Sequence, residues 1–489
     1  MKICDLNLKQ QQAIHMVKEG KNLFITGSGG TGKTAIIEVL KKECSDKNIS
    51  IIAPTGVAAR NAKGETIHSF FGFGKGNGIN DKTLSLKEHA PKPVIKTDVL
   101  VIDEISMVGV SLFDAIMVSL EKANKVRRSE GKDDIQVIAL GDFFQLPPVF
   151  KFEDQLLLEK CYGESVEKGF AFQSENWDKM HFFPIILEEC MRQDNASLVD
   201  NLQLLRKYDD RCIEYFNQRY TGVADDEAVT LMATNTMVEQ YNKKILDSLE
   251  GESYTYLPMF SDVVDETFYE IPQSVTLKVG AKVMFTARDD GKTSDLFMQE
   301  KKKYKRPYYI NGTLGNILAL DKDSAIVKID DGPVVQVGFQ QFDTPKHIVR
   351  NNKVSITHTN DRYWALPLIP AYALTIHKSQ GLTLDKVNIT PDCFAPGQLY
   401  VALSRCKSFE GINLLEPITK EVIIEDEDIL EFEKYIRGEK ETCDIHKLHF
   451  LTKQERKKSE DEKKVVEEVS KEKLKEIRRN FFQESWKKK

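Results

Sequence analysis

Eight consecutive residues, Gly27-Ser28-Gly29-Gly30-Thr31-Gly32-Lys33-Thr34, carry the clearest chemistry in this 489-residue chain. The glycines let successive backbone N–H groups face one anion, Lys33 can reach the β- and γ-phosphates of a nucleotide, and the Thr34 hydroxyl suits a Mg²⁺ ion. A second group is Asp103-Glu104, which follows the apolar run Val99 to Ile102. Asp103 is placed to hold the Mg²⁺ of a bound nucleotide, and Glu104 to orient or deprotonate the attacking water. A third, Gly141-Asp142-Phe143-Phe144-Gln145, ends another apolar run. Gln145 there can hydrogen-bond a terminal phosphate without carrying charge, and so detect its presence.

These groups need strands to carry them. The glycine loop follows Leu23-Phe24-Ile25 and precedes a helical pattern from Ala35 to Lys42, an order that sets a helix N-terminus against phosphate. Residues 50–53, 99–102 and 135–140 read as buried parallel strands alternating with helical segments up to about Met180. The expected fold is therefore α/β, with ligands at the strand ends of an open sheet. The first domain is assigned to 1–71 and 98–180, with a small polar excursion at 72–97. A second α/β region is expected from near Pro184, spanning 181–269 and 362–437. Short β-like runs such as 324–329 and 334–337 predict a small β-barrel inserted at 270–361. Residues 438–489 read as a charged tail, in which Val466, Val469, Ile477 and Phe481 sit near the spacing of an amphipathic helix.

Composition narrows the class. The length calls for two or more domains, each able to bury a core. No apolar run approaches the roughly 18–20 residues needed to span a bilayer, and Met1 to Gln12 is too polar to read as a secretory signal. Eight scattered cysteines without a Cys-x-x-Cys pair suit a reducing compartment and give no zinc signature. A net charge of −6 decides nothing about polyanions, which respond to local clusters. One such cluster, Lys301-Lys302-Lys303-Tyr304-Lys305-Arg306-Pro307-Tyr308-Tyr309, interleaves cations with aromatics in a way that suits a nucleic-acid strand. The tail from Leu451 to Lys489 carries 14 Lys and Arg against 9 Asp and Glu.

Several blocks recurring in order resemble the PIF-type 5′–3′ DNA helicases of superfamily 1B. The resemblance runs from about Leu6 to Pro417. Leu6 to Ala13 is similar to the adenine-reading block, with Gln10 as reader, and residues 53–59 and 64–71 resemble two early DNA-contact blocks. Asp103-Glu104-Ile105-Ser106-Met107 and Gly141 to Val149 resemble the metal and sensor blocks. Leu187 to Gln193 places Arg192 at the family's first phosphate-contacting arginine, and Tyr400 to Arg405 places Arg405 at the second. Thr375 to Thr383 completes the set and puts Gln380 and Gly381 at the nucleotide.

What the resemblance implies is two RecA-like parallel-sheet domains closing on ATP and Mg²⁺, with a small accessory excursion in the first and a β-barrel-like insert in the second. The catalytic set would be Lys33, Glu104, Gln145, Arg192 and Arg405. Single-stranded DNA would cross both sheets, touching Thr55, His68, Ser69, His377 and Lys378 and stacking on Phe70, Phe71 and Phe143. Forked or tailed duplex DNA is the expected partner, a monomer the expected state, and replication, repair or recombination the expected setting. Because the adenine-reading block begins at Leu6, the chain looks like bacterial or viral members, which implies the cytoplasm, or the nucleus for a eukaryotic source. A translocase subunit similar to the RecD-type helicases, and a nucleotide-dependent switch that does not move on DNA, are the rival readings. The switch has no need of Glu104, Gln145, Arg192 and Arg405 together.

Overall fold

A computed structural model describes residues 2–73, 90–150, 158, 159, 161–163, 166, 169–191, 195–260, 274–289, 294, 295, 307–330, 332–350 and 353–449. Strands β1 (Leu23–Gly27), β2 (Ile49–Ala53), β3 (Glu65–Thr66), β4 (Val99–Ile102), β5 (Gln136–Leu140) and β6 (Phe183–Leu187) form one sheet in the order β3-β2-β4-β5-β1-β6. Every pairing is parallel. Because both faces are covered, β1, β4 and β5 are buried from end to end and read as continuous runs rather than alternating ones. Alternation survives in which core each residue enters. Leu23 and Ile25 pack with Ile36, Leu40 and Val101 on one face, while Phe24 packs with Leu100, Ile102 and Phe113 on the other.

Strand β6 corrects the expected boundary at residue 181. Phe183–Leu187 pairs with β1 over its whole length, from Leu23↔Phe183 to Gly27↔Leu187, and so belongs to the first sheet. An apolar run reads the same in either sheet, and no composition change marks where the chain crosses over. The second sheet is parallel too, ordered Ala373–Thr375, Val229–Met232, Val387–Ile389, Ile412–Leu414. Its core gathers Leu198, Leu202, Leu231, Leu374, Val387 and Leu403. Both sheets fit the two RecA-like domains of the expected fold class.

Between them in sequence, strands 282–285, 314–320, 324–329 and 334–338 build an antiparallel sheet around its own core of Val283, Ile317, Val327 and Val337. A long hairpin, Gln340–Arg350 with Lys353–Ala365, extends from it. Tyr309, the last aromatic of the basic cluster described above, is 3% exposed and stacks on Phe285 at 3.9 Å. Residues 301–306 of that basic cluster, residues 74–89 of the excursion and the tail from 450 lie outside the described residues.

The C-terminal division also needs correcting. Helix Glu427–Ile436, assigned above to the second domain, packs into the first: Phe432 stacks on Phe172 at 4.4 Å, and Ile429 and Ile445 join the same core. Beyond it, residues 438–449 are not a free tail. Leu448 bridges to Ser174, and Lys447 Nζ donates to the Phe172 carbonyl at 2.9 Å. Burial of apolar area decides this placement, because the helix presents Ile429 and Phe432 on one side.

Candidate functional site

The glycine loop ends at Gly32, whose left-handed φ of 79° starts helix Lys33–Glu43. A side chain is excluded there twice over, by the backbone and because a Cβ would come within 2.6 Å of Gln10 Nε2. Gln10 is itself pinned: Oε1 accepts the Asn7 N–H at 3.0 Å, closing a capping box, and Nε2 donates to the Thr31 carbonyl at 3.1 Å. Its amide is thus fixed against the loop. Lys33 Nζ folds onto the carbonyls of Gly27 at 2.6 Å and Ser28 at 3.1 Å. Burial pushes Lys33 down from the usual lysine range, and Asp142, Glu104 and Asp103 act against that push. An incoming phosphate would add to the second set. The buried Ser28 hydroxyl has no hydrogen-bond partner among the described residues, so this loop has unmet polar capacity.

The carboxylates stand at the end of β4. Glu104 has a left-handed φ of 52°, uncommon for a side chain of its size, and its N–H donates to Asp103 Oδ1 at 3.0 Å. Burial, reinforced by Glu104, pushes the Asp103 carboxyl up to about 7. Two carboxylates packed this closely suit a site where a cation lowers their mutual cost.

The second domain reaches this cluster with three side chains. Gln380 Nε2 donates to Glu104 Oε2 at 3.1 Å and sits 3.5 Å from Gln145 Oε1. Tyr400 Oη accepts the Gly29 N–H at 2.9 Å, and burial pushes its hydroxyl up to about 12, so it stays protonated. Arg405, 2% exposed, is braced by the Val401 carbonyl at 2.9 Å and Ser404 Oγ at 2.8 Å. A Cβ placed on Gly29 would lie 3.7 Å from the Arg405 guanidinium, which shows how near that arginine stands to the loop. Gly397, φ 76°, lets the second domain press on the Phe144 and Gln145 carbonyls, where any side chain would collide.

One cavity of about 1500 Å³ joins these groups. Its lining includes Gly29, Gly30, Thr31, Gly32, Lys33, Thr34, Asp103, Glu104 and Gln145 from the first domain, with Gln380, Gly381 and Arg405 from the second. Thr55, His68, His377 and Lys378 line it as well. It exceeds the roughly 300–1,000 Å³ of a small-molecule site, leaving room for a nucleotide and part of a strand. Burial pushes His377 down from the usual histidine range and so favours its neutral ring near pH 7, whereas Lys378 is exposed. Gly27 and Ser28 form the loop's stem rather than the cavity wall.

Three of the expected DNA contacts, Phe70, Phe71 and Phe143, are corrected. Phe143 is 3% exposed, its ring among Phe24, Phe172, Trp177 and Phe432 with centroids 4.7–5.8 Å away. Phe70 is also 3% exposed and packs edge-on against Phe71, itself buried, at 5.0 Å. These rings are core and present no face to a base. Ser69 turns its hydroxyl to Glu65. Arg192 lies outside the described residues. Tyr400 was overlooked although it stands five residues before Arg405, because nothing local marks a tyrosine as a partner of a loop 371 residues away.

The chain is similar to known proteins along most of its length. The PIF1-like helicase family profile matches residues 5–212. The chain is 29% identical to the ATP-dependent DNA helicase Pif1 of Bdellovibrio bacteriovorus, over 89% of this chain and 93% of that protein. Against the longer PIF1 helicases of Emericella nidulans and Xenopus laevis, it spans 61% of their length. Among solved structures, Bacteroides sp Pif1 with ADP-AlF4 gives a TM-score of 0.71 at 29% identity, covering 88% of this chain and 97% of that one. Bacteroides Pif1 bound to ssDNA gives 0.62 at 30% identity, covering 89% and 97%. With the phosphate loop, the strand-end carboxylates and the second-domain arginine converging in one cleft, and this likeness extending along most of its length, the chain belongs to the PIF1-like helicase family.

Proposed function

We propose that this chain is an ATP-driven 5′–3′ DNA helicase that moves along single-stranded DNA and opens forked or tailed duplexes, acting as a single chain in replication, repair or recombination. The observation that carries this reading is the direct bond from Gln380 of the second domain to Glu104 of the first, beside Lys33 and Arg405 in one cavity. Hydrolysis then depends on how the two domains sit, and their closing and opening moves the strand-contacting residues relative to each other.

In the ATP-bound state Lys33 leaves the Gly27 and Ser28 carbonyls for the β- and γ-phosphates, while Gln10 meets the adenine. Glu104 orients the attacking water and takes its proton, and Gln145 bonds the γ-phosphate. Arg405, with Arg192 as a second arginine, stabilises charge spreading over the γ-phosphoryl oxygens. Thr34 and Asp103 offer a hydroxyl and a carboxylate on the same cavity wall, a hard-oxygen donor set that fits Mg²⁺. Held there, such an ion would supply positive charge to offset that of the phosphates. On the strand side, Thr55, His68, His377 and Lys378 contact phosphates, which suits tracking without base specificity. The polarity is carried by family membership. Unwinding of 5′-tailed and 3′-tailed duplexes, compared with and without ATP, tests the reading.

A further inference from the structure

Helix Ala196–Arg206 belongs to the second domain by its packing, since Leu198, Leu202 and Leu205 enter that core. Its last residue faces elsewhere. Arg206 is 2% exposed and grips Asp142 of the first domain, with Nε 3.1 Å from Oδ2 and Nη2 2.8 Å from Oδ1. Its remaining nitrogen reaches Glu433 of the C-terminal helix at 3.3 Å, and its plane lies over Phe144, 4.3 Å from the ring centre. Burial disfavours the Arg206 charge, but Asp142 and Glu433 more than offset this and hold the guanidinium above the usual arginine range. Three parts of the chain therefore meet on one buried cation.

Asp142 is the informative partner. It is wholly buried; Oδ1 accepts the Phe144 N–H at 3.3 Å and its carbonyl accepts the Gln145 N–H at 2.8 Å. The turn presenting Gln145 is thus folded around the carboxylate that Arg206 holds. Asp142 is also the foremost of the charges that favour protonated Lys33. A forked, charge-assisted pair has a narrow geometry, and breaking it strands a buried carboxylate. Any shift of the second domain must then carry Asp142 with it or strain this contact.

We propose that Arg206 is a positioning residue that couples the placement of the second domain to the Gln145 turn through Asp142, so that the γ-phosphate is read only when the domains are correctly set. The inference rests on the ATPase reading above. Its test uses the full chain and the variants Arg206→Met, Arg206→Lys, Asp142→Asn and Arg206→Met with Asp142→Asn, comparing ATPase kcat at saturating single-stranded DNA with Kd for a fluorescent ATP analogue and for DNA. Each single change is expected to lower kcat about tenfold or more while both Kd values move by less than about threefold, and the double variant to be no slower than either single one. Lysine is expected to fail with methionine because it lacks the planar fork that grips Asp142 and lies on Phe144.

A lowered melting temperature with unchanged kcat below it would reduce Arg206 to a structural residue and overturn the proposal. So would kcat losses that multiply in the double variant. If Arg206→Met does not fold, Arg206→Lys decides by the same criteria. Absence of DNA-stimulated ATPase in the unsubstituted chain counts against the proposed function, whereas a loss confined to the variants bears on Arg206.

Discussion

Lys33, Glu104 and Lys378 line the cleft while Phe143 fills the core beneath it, and their substitutions are expected to fail in different ways. Lys33→Ala is expected to abolish ATP hydrolysis while retaining single-stranded DNA binding, measured by ATPase assay and fluorescence anisotropy. Glu104→Gln is expected to bind ATP yet turn over about 10²–10⁴-fold more slowly, the usual range for a lost general base, and full activity would remove Glu104 from its role. Phe143→Ala is expected to cost about 3–5 kcal/mol of stability by urea unfolding, because its ring fills the first core rather than meeting a base. On the strand side, Lys378→Ala is expected to reduce the dependence of log K on log salt by about 0.7, the value for one charge on a single strand. His377→Ala is expected to leave that slope unchanged, since burial keeps the ring neutral near pH 7. At this scale the phosphate loop and the carboxylates were legible because each is one contiguous block whose chemistry is local. Phe70 and Phe143 were misread because an aromatic near a strand end looks the same in sequence whether it faces a core or a groove.

At the scale of elements, helix Glu427–Ile436 is the part whose placement is least expected. It follows the last strand of the second sheet, yet its apolar side completes the first core, and Glu433 meets Arg206 beside the Gln145 turn. Phe432→Ala is accordingly expected to destabilise the first domain by about 3–5 kcal/mol, seen as a lower urea midpoint for the transition that also exposes Trp177, with which Phe432 packs at 5.8 Å. An unchanged midpoint would place the helix elsewhere. Strands β2, β4 and β5 were readable within a residue or two because a buried parallel strand is a short apolar run ending in polar chemistry. The sheet that β6 joins, and the return of the C-terminal helix, were not readable. Both depend on contacts between distant segments, and an amphipathic face states that it needs a partner without naming one.

For the whole molecule, residues of two sheets line one cavity, and the proposed function makes that sharing the link between nucleotide chemistry and strand contacts. From the second domain Tyr400 and Arg405 approach the phosphate loop and Gln380 the Glu104 carboxylate, and any opening of the cleft withdraws them together. Hydrolysis is therefore expected to depend on the same closure that moves Thr55 and His68 relative to His377 and Lys378. The decisive measurement is unwinding of matched duplexes carrying either a 5′ or a 3′ single-stranded tail, with ATP, without ATP, and with Glu104→Gln in place of the unsubstituted chain. ATP-dependent opening of the 5′-tailed duplex alone, lost in Glu104→Gln, is the predicted result; opening of the 3′-tailed duplex instead, or of neither while ATP is hydrolysed, would contradict it.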